Sequence, residues 1–201
     1  MDIDPDRRLI RDLASDDQAL RRKALGELFE RHHVRVFNTA YRVVGNASDA
    51  QDVAQDVFLH VSDRIKSFRG DASLTSWVYR VTVNMAIDAR RRTARRPSLR
   101  SSTAEGEGQA IESGTSRPRV AEPAGDPVAA AEKTEAERRV HAALDRLSPK
   151  LRAVVVLRYF ENLSYEDLAE VLETGVGTVK SRLNRAHAAL EGLLGPGASP
   201  R

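Results

Sequence analysis

The chain has 201 residues, of which 41% are hydrophobic, 30% charged and 5% aromatic, and it contains no cysteine. Its length suits two small domains or one domain with tails, and its composition is that of a globular chain. The lack of cysteine excludes disulfides, thiolate nucleophiles and cysteine-based zinc sites, and it is compatible with a cytoplasmic location. The net charge of +3 supports a polyanionic partner only weakly, so the distribution of charge is more informative.

Residues 1–16 carry both acidic and basic side chains and lack the apolar core of a signal peptide. We therefore expect an N-terminal extension and no export. The longest apolar stretch, from Ala153 to Leu157, is far shorter than the roughly 20 residues needed to span a bilayer, so no membrane insertion is expected.

Residues 17–96 are expected to form a first domain of packed helices, because their apolar residues recur at helical spacing. A break at Gly70 and Asp71 separates the last of three apolar stripes from the other two. Trp77 belongs to that last stripe, so we expect it in the core and not as a stacking platform. The stripes are Leu25, Leu28, Phe29, Val36 and Tyr41, then Val53, Val57, Val61 and Ile65, then Leu74, Trp77, Val78, Val81 and Met85.

Residues 97–133 lose this periodicity and are rich in Ser, Gly, Glu, Ala and Pro, which predicts a flexible linker. A functional loop of this length inside one compact domain is disfavoured, because long loops are uncommon there. The linker therefore separates two domains.

Residues 134–194 are expected to form a second helical domain. Ser148 and Pro149 predict the start of one helix, and Ser164 with Asp167 predicts a capping box at the start of another. A turn at residues 173–175 precedes the last helix, and residues 195–201 are expected to be a disordered tail. The fold class is therefore all-α, with two small helical domains joined by a flexible linker.

Two short helices joined by a tight turn, the second with basic residues opposite its apolar side, have the form of a helix-turn-helix. The second helix of such a unit can enter the major groove of DNA. By pattern alone, a plain helical hairpin with a solvated basic face fits equally well. The candidate residues for base edges are Thr178, Lys180, Ser181 and Asn184, and those for phosphates are Arg182 and Arg185.

An acidic and amide-rich face is predicted on the helix that contains residues 49–59. Such a face is most often a solvated helix surface, and a carboxylate metal site is a minor alternative without a supporting histidine pattern. His32 and His33 point about 100° apart on a helix, so we interpret them as structural. The outward residues of the acidic face are Asp49, Asp52, Gln55 and Asp56.

The C-terminal half contains three runs that carry a family resemblance: Leu147 to Pro149, Leu157 to Ala169, and Gly177 to Ala186. Together they closely resemble region 4 of the extracytoplasmic-function (ECF) sigma factors of the sigma-70 family. The resemblance implies that the last helix recognises the minus-35 element of promoters as duplex DNA. The turn departs from the family pattern, because Glu173 stands where glycine is common.

The N-terminal half adds two further segments. Residues 49–59 resemble sigma region 2.2, which implies that their acidic face docks on the clamp helices of the largest subunit of core RNA polymerase. Residues 68–92 resemble regions 2.3 and 2.4, which capture the unpaired non-template strand of the minus-10 element and need a base pocket, polar groups and cations. The candidate minus-10 residues are Phe68, Arg69, Gly70, Asp71, Ala72 and Ser73, followed by Arg80, Asn84, Asp88 and Arg91.

The resemblance implies a sigma factor that binds core RNA polymerase and directs promoter-specific initiation, with melting of the minus-10 DNA. Catalysis then belongs to the core, so we expect no enzymatic activity, cofactor or metal in this chain, and an anti-sigma factor is an expected partner. The main alternative is a stand-alone dimeric helix-turn-helix transcriptional regulator. A minor one is a metal-dependent nuclease that uses Asp49, Asp52 and Asp56.

Overall fold

A computed structural model describes residues 5–68, 70, 72–95 and 138–194. No strand occurs among these residues, which agrees with the all-α fold class. The predicted linker, 97–133, and the predicted tail, 195–201, lie outside them. The helices are α1 (Pro5–Leu13), α2 (Gln18–Val44), α3 (Ala47–Arg64), α4 (Leu74–Ala94), α5 (138–146), α6 (Pro149–Tyr159), α7 (Tyr165–Val171) and α8 (Val176–Leu194), with a short 3-10 helix (Ile65–Ser67) after α3.

Local signals set the ends of the helices in the first domain. Asp17, Asn46 and Ser73 precede α2, α3 and α4, and each side chain accepts a backbone N–H of the first turn. Gly45 follows the last residue of α2 as its C-cap, and its φ of +98° is the left-handed conformation that glycine adopts without steric cost. α2 and α3 can therefore follow each other with only two residues between them.

The core of this domain contains most of the predicted stripe residues. Trp77 is only 7% exposed, and its ring lies 5.2 Å from that of Phe68, which confirms it as a core residue. Phe29 differs from the prediction, because it is 45% exposed. Leu28 takes the inward position beside it. The fully or nearly buried stripe residues are Leu28, Val36, Val53, Val57, Val61, Ile65, Leu74, Trp77, Val78 and Val81.

Part of the predicted N-terminal extension belongs to the first domain. Leu9 and Leu13 are buried, since a spacing of four residues places both on the side of α1 that contacts α2. Arg8 also forms an ion pair of 2.7 Å with Glu27 of α2. Sequence inspection missed this helix because its two buried leucines lie among charged residues.

The second domain consists of α5 to α8. Pro149 is the first residue of α6, as predicted, but the Ser148 side chain before it makes no capping hydrogen bond. The capping box at α7 is confirmed: the Asp167 N–H donates to Ser164 Oγ at 3.0 Å, and the Ser164 N–H donates to Asp167 Oδ2 at 3.1 Å. The apolar run Ala153 to Leu157 is buried in α6.

The two domains pack against each other, with α6 and α7 of the second domain on α2 and α4 of the first. Glu161, just after α6, accepts hydrogen bonds from Thr39 at 2.9 Å and from the Tyr79 hydroxyl at 2.6 Å. Burial, followed by the bond to Glu161, raises the pKa of Tyr79. Tyr79 therefore keeps its proton and acts as the donor.

A second group of hydrogen bonds, some within a domain and some between the two, surrounds the C-terminal end of α2. Arg152 of α6 is completely buried and donates to the Arg42 carbonyl and the Asp145 carboxylate. Arg90 of α4 donates to the Val44 carbonyl at 2.8 Å. Cations at this position satisfy carbonyls that have no partner inside the helix. Partial burial works against ionisation of Asp145, but its bonds from Arg152 and Arg90 hold its pKa below the ordinary value.

Candidate nucleic-acid interface

Helices α7 and α8 form the helix-turn-helix unit. Leu168 and Val171 of α7 are buried, as are Val179 and Leu183 of α8, so apolar contacts fix the second helix on the first. In the turn, the Gly175 carbonyl accepts the N–H groups of residues 178 and 179, at 2.9 and 3.1 Å. The short capped helix and the tight turn therefore hold α8 in one orientation.

The outer face of α8 carries the residues predicted to contact the minus-35 element. At about 100° per residue, Ser181, Asn184 and Arg185 lie opposite the buried side of the helix. Arg182 lies at the edge of the face and is half-buried. The exposed members of the predicted set are Thr178, Lys180, Ser181, Asn184 and Arg185.

Tyr165 is a residue of this surface that sequence inspection missed. The Lys180 ammonium lies 5.7 Å from the centre of the Tyr165 ring, and the Arg158 guanidinium lies 5.0 Å from it. An aromatic ring attracts a cation within about 6 Å of its centre, so the Tyr165 ring favours both positions. Tyr165 thus links the first helix of the unit to a cation of the second. Its contact with Lys180 joins residues fifteen positions apart, so no local signal in the sequence marked it.

The predicted minus-10 loop lies between α3 and α4. Phe68 is partly buried against Trp77, and Gly70 adopts a φ of +77°, which favours glycine. Ala72 is half-buried, and Ser73 is exposed and caps α4. Arg69 and Asp71 belong to the prediction but lie outside the described residues.

The remaining minus-10 residues form one stripe along α4. Arg80, Asn84, Asp88 and Arg91 follow one another at spacings of three and four residues, which places them on one face. Asn84, Asp88 and Arg91 are exposed, and the Asp88 carboxylate lies 3.5 Å from the Arg91 guanidinium. Arg80 is different, because its guanidinium forms a 3.0 Å ion pair with Glu173 of the other domain.

The acidic face of α3 is only partly as predicted. Asp52, Gln55 and Asp56 are exposed, whereas Asp49 is half-buried. The Asp49 carboxylate accepts hydrogen bonds from the Asn46 amide at 2.9 Å and the Thr93 hydroxyl at 3.2 Å. Asp49 therefore ties the start of α3 to α4, while the other three residues face solvent.

Apolar surface adjoins the acidic face. Leu59 is 58% exposed and follows Asp52 and Asp56 at helical spacing, so it extends the same face of α3. Phe29 is 45% exposed, and its ring lies 5.0 Å from that of Phe58. Exposed apolar residues clustered beside charges are typical of protein-binding surfaces. The spacing of Leu59 from Asp52 was a signal that sequence inspection left unused.

A groove of about 790 Å³ runs between α3 and α4. It brings the predicted docking residue Asp56 together with the predicted minus-10 residues Asp88 and Arg91. The two candidate surfaces of the first domain are therefore neighbours. The other lining residues are Val53, His60, Asp63, Met85, Arg92 and Arg95.

The described part of the chain shows neither a candidate metal site nor a candidate membrane-spanning helix. There, no group of three or more His, Cys, Asp or Glu side chains is arranged to hold a metal ion. His32 of α2 is buried, and this burial lowers its pKa. No helix within these ranges has both the length and the apolar character that crossing a bilayer requires.

Comparisons with known proteins identify both domains. Residues 28–96 match the family model of sigma-70 region 2, and residues 137–190 match that of sigma-70 region 4. The RNA polymerase sigma-H factor of Pseudomonas aeruginosa is 34% identical over 175 residues, which cover 87% of this chain and 88% of that protein. The ECF RNA polymerase sigma-E factor of Haemophilus influenzae is 33% identical, with coverage of 87% and 89%.

A solved structure of CnrH, in complex with the cytosolic domain of CnrY, has the same fold. It superposes with a TM-score of 0.64 at 27% identity and covers 95% of this chain and 97% of CnrH. The region 2 match in the N-terminal domain disfavours the stand-alone regulator. The chain belongs to the ECF sigma factors of the sigma-70 family, and it is a sigma subunit that directs promoter-specific initiation by RNA polymerase.

Proposed function

We propose that this sigma factor divides its task among three surfaces: the outer face of α8 for the minus-35 element, the 68–73 loop with the α4 stripe for the minus-10 strand, and the acidic face of α3 for core polymerase. The observation that carries the proposal is the exposed polar and basic face of α8, held by the capped α7. Each surface presents the chemistry that its partner requires.

In the minus-35 surface, residues opposite the buried side of α8 would enter the major groove most deeply. Asn184 and Ser181 are suited to base edges, because an amide or a hydroxyl can both donate and accept. Arg185 and Arg182 are suited to phosphates, which fix the position of the helix on the duplex. Lys180, whose ammonium lies near the Tyr165 ring, would reach either a base edge or a phosphate.

In the minus-10 surface, the loop before α4 would receive an extruded base, and the α4 stripe would follow the strand. Asn84 and Asp88 offer hydrogen bonds to base edges, and Arg91 and Arg80 offer positive charge to the backbone. Phe68 is packed on Trp77, so we assign it to the wall of the pocket.

In the docking surface, Asp52, Gln55 and Asp56 would meet basic and amide groups on the clamp helices of the largest polymerase subunit. Leu59 would add apolar contact at the same site. Asp49 would support this surface by fixing the start of α3, without direct contact. An anti-sigma factor is a further proposed partner, and the solved complex of the related CnrH with CnrY is its support.

Two pairs of variants test these assignments. Asn184→Ala should change the ranking of promoters in a library, whereas Arg185→Ala should weaken all promoters by a similar factor and reduce the salt dependence of binding. Identical effects of the two variants would contradict the assigned roles.

Charge reversal at Asp52 and Asp56 to lysine should weaken binding of core polymerase, measured by fluorescence anisotropy, and reversal at Glu166 and Glu170 is the matched control. Equal losses in both double variants would count against the docking surface.

A further inference from the structure

Tyr165 draws a lysine of α8 towards the first helix of the helix-turn-helix unit. Tyr165 is the first residue of α7, and its half-buried ring packs against the hydrophobic core. Lys180 of α8 is exposed, yet its ammonium lies 5.7 Å from the centre of that ring. The negative face of an aromatic ring attracts a cation at this distance. The Lys180 side chain is therefore held on the side of α8 that adjoins α7.

The loop between α6 and α7 holds the Tyr165 ring in place. Asn162 in this loop has a φ of +55°, in the left-handed region that asparagine tolerates better than most residues. The Leu163 N–H donates to the Leu157 carbonyl at 3.2 Å, and the Leu163 carbonyl accepts a hydrogen bond from Arg158 at 2.6 Å. The same Arg158 guanidinium lies 5.0 Å from the centre of the Tyr165 ring. Arg158 thus connects the loop to the ring.

The contact with Tyr165 limits the freedom of the Lys180 side chain before DNA binds. In the ranges that the structure describes, no ion pair links Lys180 to a carboxylate. A long lysine side chain loses much rotamer freedom when a ligand holds it in one place, and this loss opposes binding. A ring that already restricts the side chain reduces that loss. Tyr165 therefore prepares the ammonium for one position on the promoter.

The flank of α8 that carries Lys180 determines which part of the DNA the lysine meets. Consecutive residues of a helix are about 100° apart, and Ser181 lies opposite the buried side of α8, so Lys180 lies on a flank of the outer face. Its contact with Tyr165 identifies this flank as the one beside α7. When such a unit docks, the second helix lies in the major groove and the first helix crosses the DNA backbone. Lys180 therefore lies at the edge of the groove, where the phosphates pass.

We infer that Tyr165 is a positioning residue that directs Lys180 to the phosphate backbone of the minus-35 element. An ammonium is a compact point charge, which suits a phosphate. Lys180 then fixes the position of α8 on the duplex, and the reading of bases is left to Ser181 and Asn184. The inference rests on the proposed minus-35 surface and narrows the role of Lys180 to one of its two possible partners.

Proton NMR of the free factor tests the contact without DNA. The ring current of Tyr165 should move the ε-methylene protons of Lys180 upfield of those of Lys23, which is exposed on α2. Lys180→Gln assigns the signal by its disappearance. The upfield shift should persist in Tyr165→Phe, which keeps the ring, and vanish in Tyr165→Leu. Lys180 protons at the position of the Lys23 protons in the wild-type factor would overturn the inference.

A double-mutant cycle tests the effect on promoter binding by the holoenzyme, which is the factor bound to core polymerase. Equilibrium binding is measured on a promoter that start-site mapping has identified. Tyr165→Leu should weaken binding about two- to fivefold, as expected for loss of a cation–π contact at an exposed site, and Tyr165→Phe should recover the affinity. In the Lys180→Gln background, Tyr165→Leu should cause no further loss. An equal loss in both backgrounds would make the role of Tyr165 purely structural and would overturn the inference.

Tyr159→Leu is the matched control for the cycle. It removes another aromatic ring from the second domain, one that lies beside His187. Any loss that it causes should be equal in the wild-type and Lys180→Gln backgrounds, and coupling as large as that of Tyr165→Leu would overturn the inference. Thermal melting establishes that each variant is folded. The NMR shift in the wild-type factor needs no substitution at Tyr165, so it tests the contact even if Tyr165→Leu does not fold.

Salt dependence separates a phosphate contact from a base contact. Lys180→Gln should weaken binding to all minus-35 variants of the promoter by a similar factor, and it should reduce the slope of log affinity against log salt concentration by about 0.9. Lys150→Gln, at an exposed residue of α6, removes the same charge from the same domain and should leave the slope unchanged. A changed ranking of the minus-35 variants in Lys180→Gln would overturn the inference.

Failure of the inference and failure of the proposed function give different results. An unchanged ranking in Asn184→Ala would remove the proposed minus-35 surface and the inference with it. A changed ranking in Asn184→Ala, without coupling between Tyr165 and Lys180, would remove the inference alone.

Discussion

The Tyr79 hydroxyl donates a hydrogen bond of 2.6 Å to the Glu161 carboxylate across the boundary between the two domains. Tyr79 is only 4% exposed, so loss of its hydroxyl leaves a partly buried carboxylate with one donor fewer. We predict that Tyr79→Phe lowers the free energy of unfolding by about 1 to 2 kcal/mol, measured by urea denaturation.

Tyr159→Phe is the control for this prediction. The Tyr159 hydroxyl also makes a side-chain hydrogen bond, 2.7 Å to His187, but at an exposed site. Its loss should change stability by less than about 0.5 kcal/mol. Equal effects of the two substitutions would show that the bond between Tyr79 and Glu161 contributes no more to stability than the exposed bond does.

The buried His32 should make the stability of the factor dependent on pH. Burial lowers its pKa below 6.5, so the folded state favours neutral imidazole, whereas the unfolded state binds a proton below about pH 6.5. The contribution of neutral His32 to the free energy of unfolding is fully present above pH 6.5. It is lost as the pH falls, and the free energy of unfolding then decreases by at most about 1.4 kcal/mol per pH unit. Nearby Asp6 opposes the shift, and Arg35 and Arg31 reinforce it.

Urea unfolding at pH 7.5 and 5.5 measures this effect, with His32→Gln as the comparison. The wild-type factor should lose more stability between these two pH values than the variant does. A loss of the same size in both proteins would show that His32 does not contribute.

The capping box of α7 should be important for DNA reading as well as stability. Ser164→Ala removes the acceptor for the Asp167 N–H and should cost about 1 kcal/mol. Ser148→Ala at the start of α6 should cost less, because the Ser148 side chain makes no capping hydrogen bond. Thermal melting compares the two variants, and a larger loss for Ser148→Ala would refute this account of the caps.

Leu59 should contribute to the binding of core polymerase. Leu59→Asp adds charge to a face where an apolar contact is proposed, and we predict about a tenfold loss of affinity with the fold unchanged. Leu20→Asp is the control, since Leu20 is also exposed, at 39%, on another helix. An unchanged affinity for Leu59→Asp would exclude the residue from the docking surface.

The sequence predicted elements that depend on local signals. The capping box at Ser164, the proline that starts α6 and the core position of Trp77 each follow from a few neighbouring residues, and each is confirmed. The outward side of α8 was also predictable, because a helix has a fixed period and its apolar residues identify the opposite face.

Other features depend on contacts between distant parts of the chain. Asp49 was assigned to an exposed face, but its carboxylate bonds to Thr93, 44 residues away. Arg80 was assigned to DNA, but it contacts Glu173, which is 93 residues away. The helical spacing of apolar residues does not predict contacts between residues so far apart in the sequence. The departure from glycine at residue 173 was visible in the sequence, but its meaning required the partner.

Promoter-directed initiation is the central claim, and transcription by sigma-free core RNA polymerase on a promoter library tests it most directly. Start sites are mapped by sequencing, and unpaired thymines near minus-10 are mapped with permanganate. We predict defined start sites and permanganate-reactive minus-10 DNA only when the factor is present. Binding of the factor alone to duplex sites, without start sites or melted DNA in the presence of core, would contradict the claim.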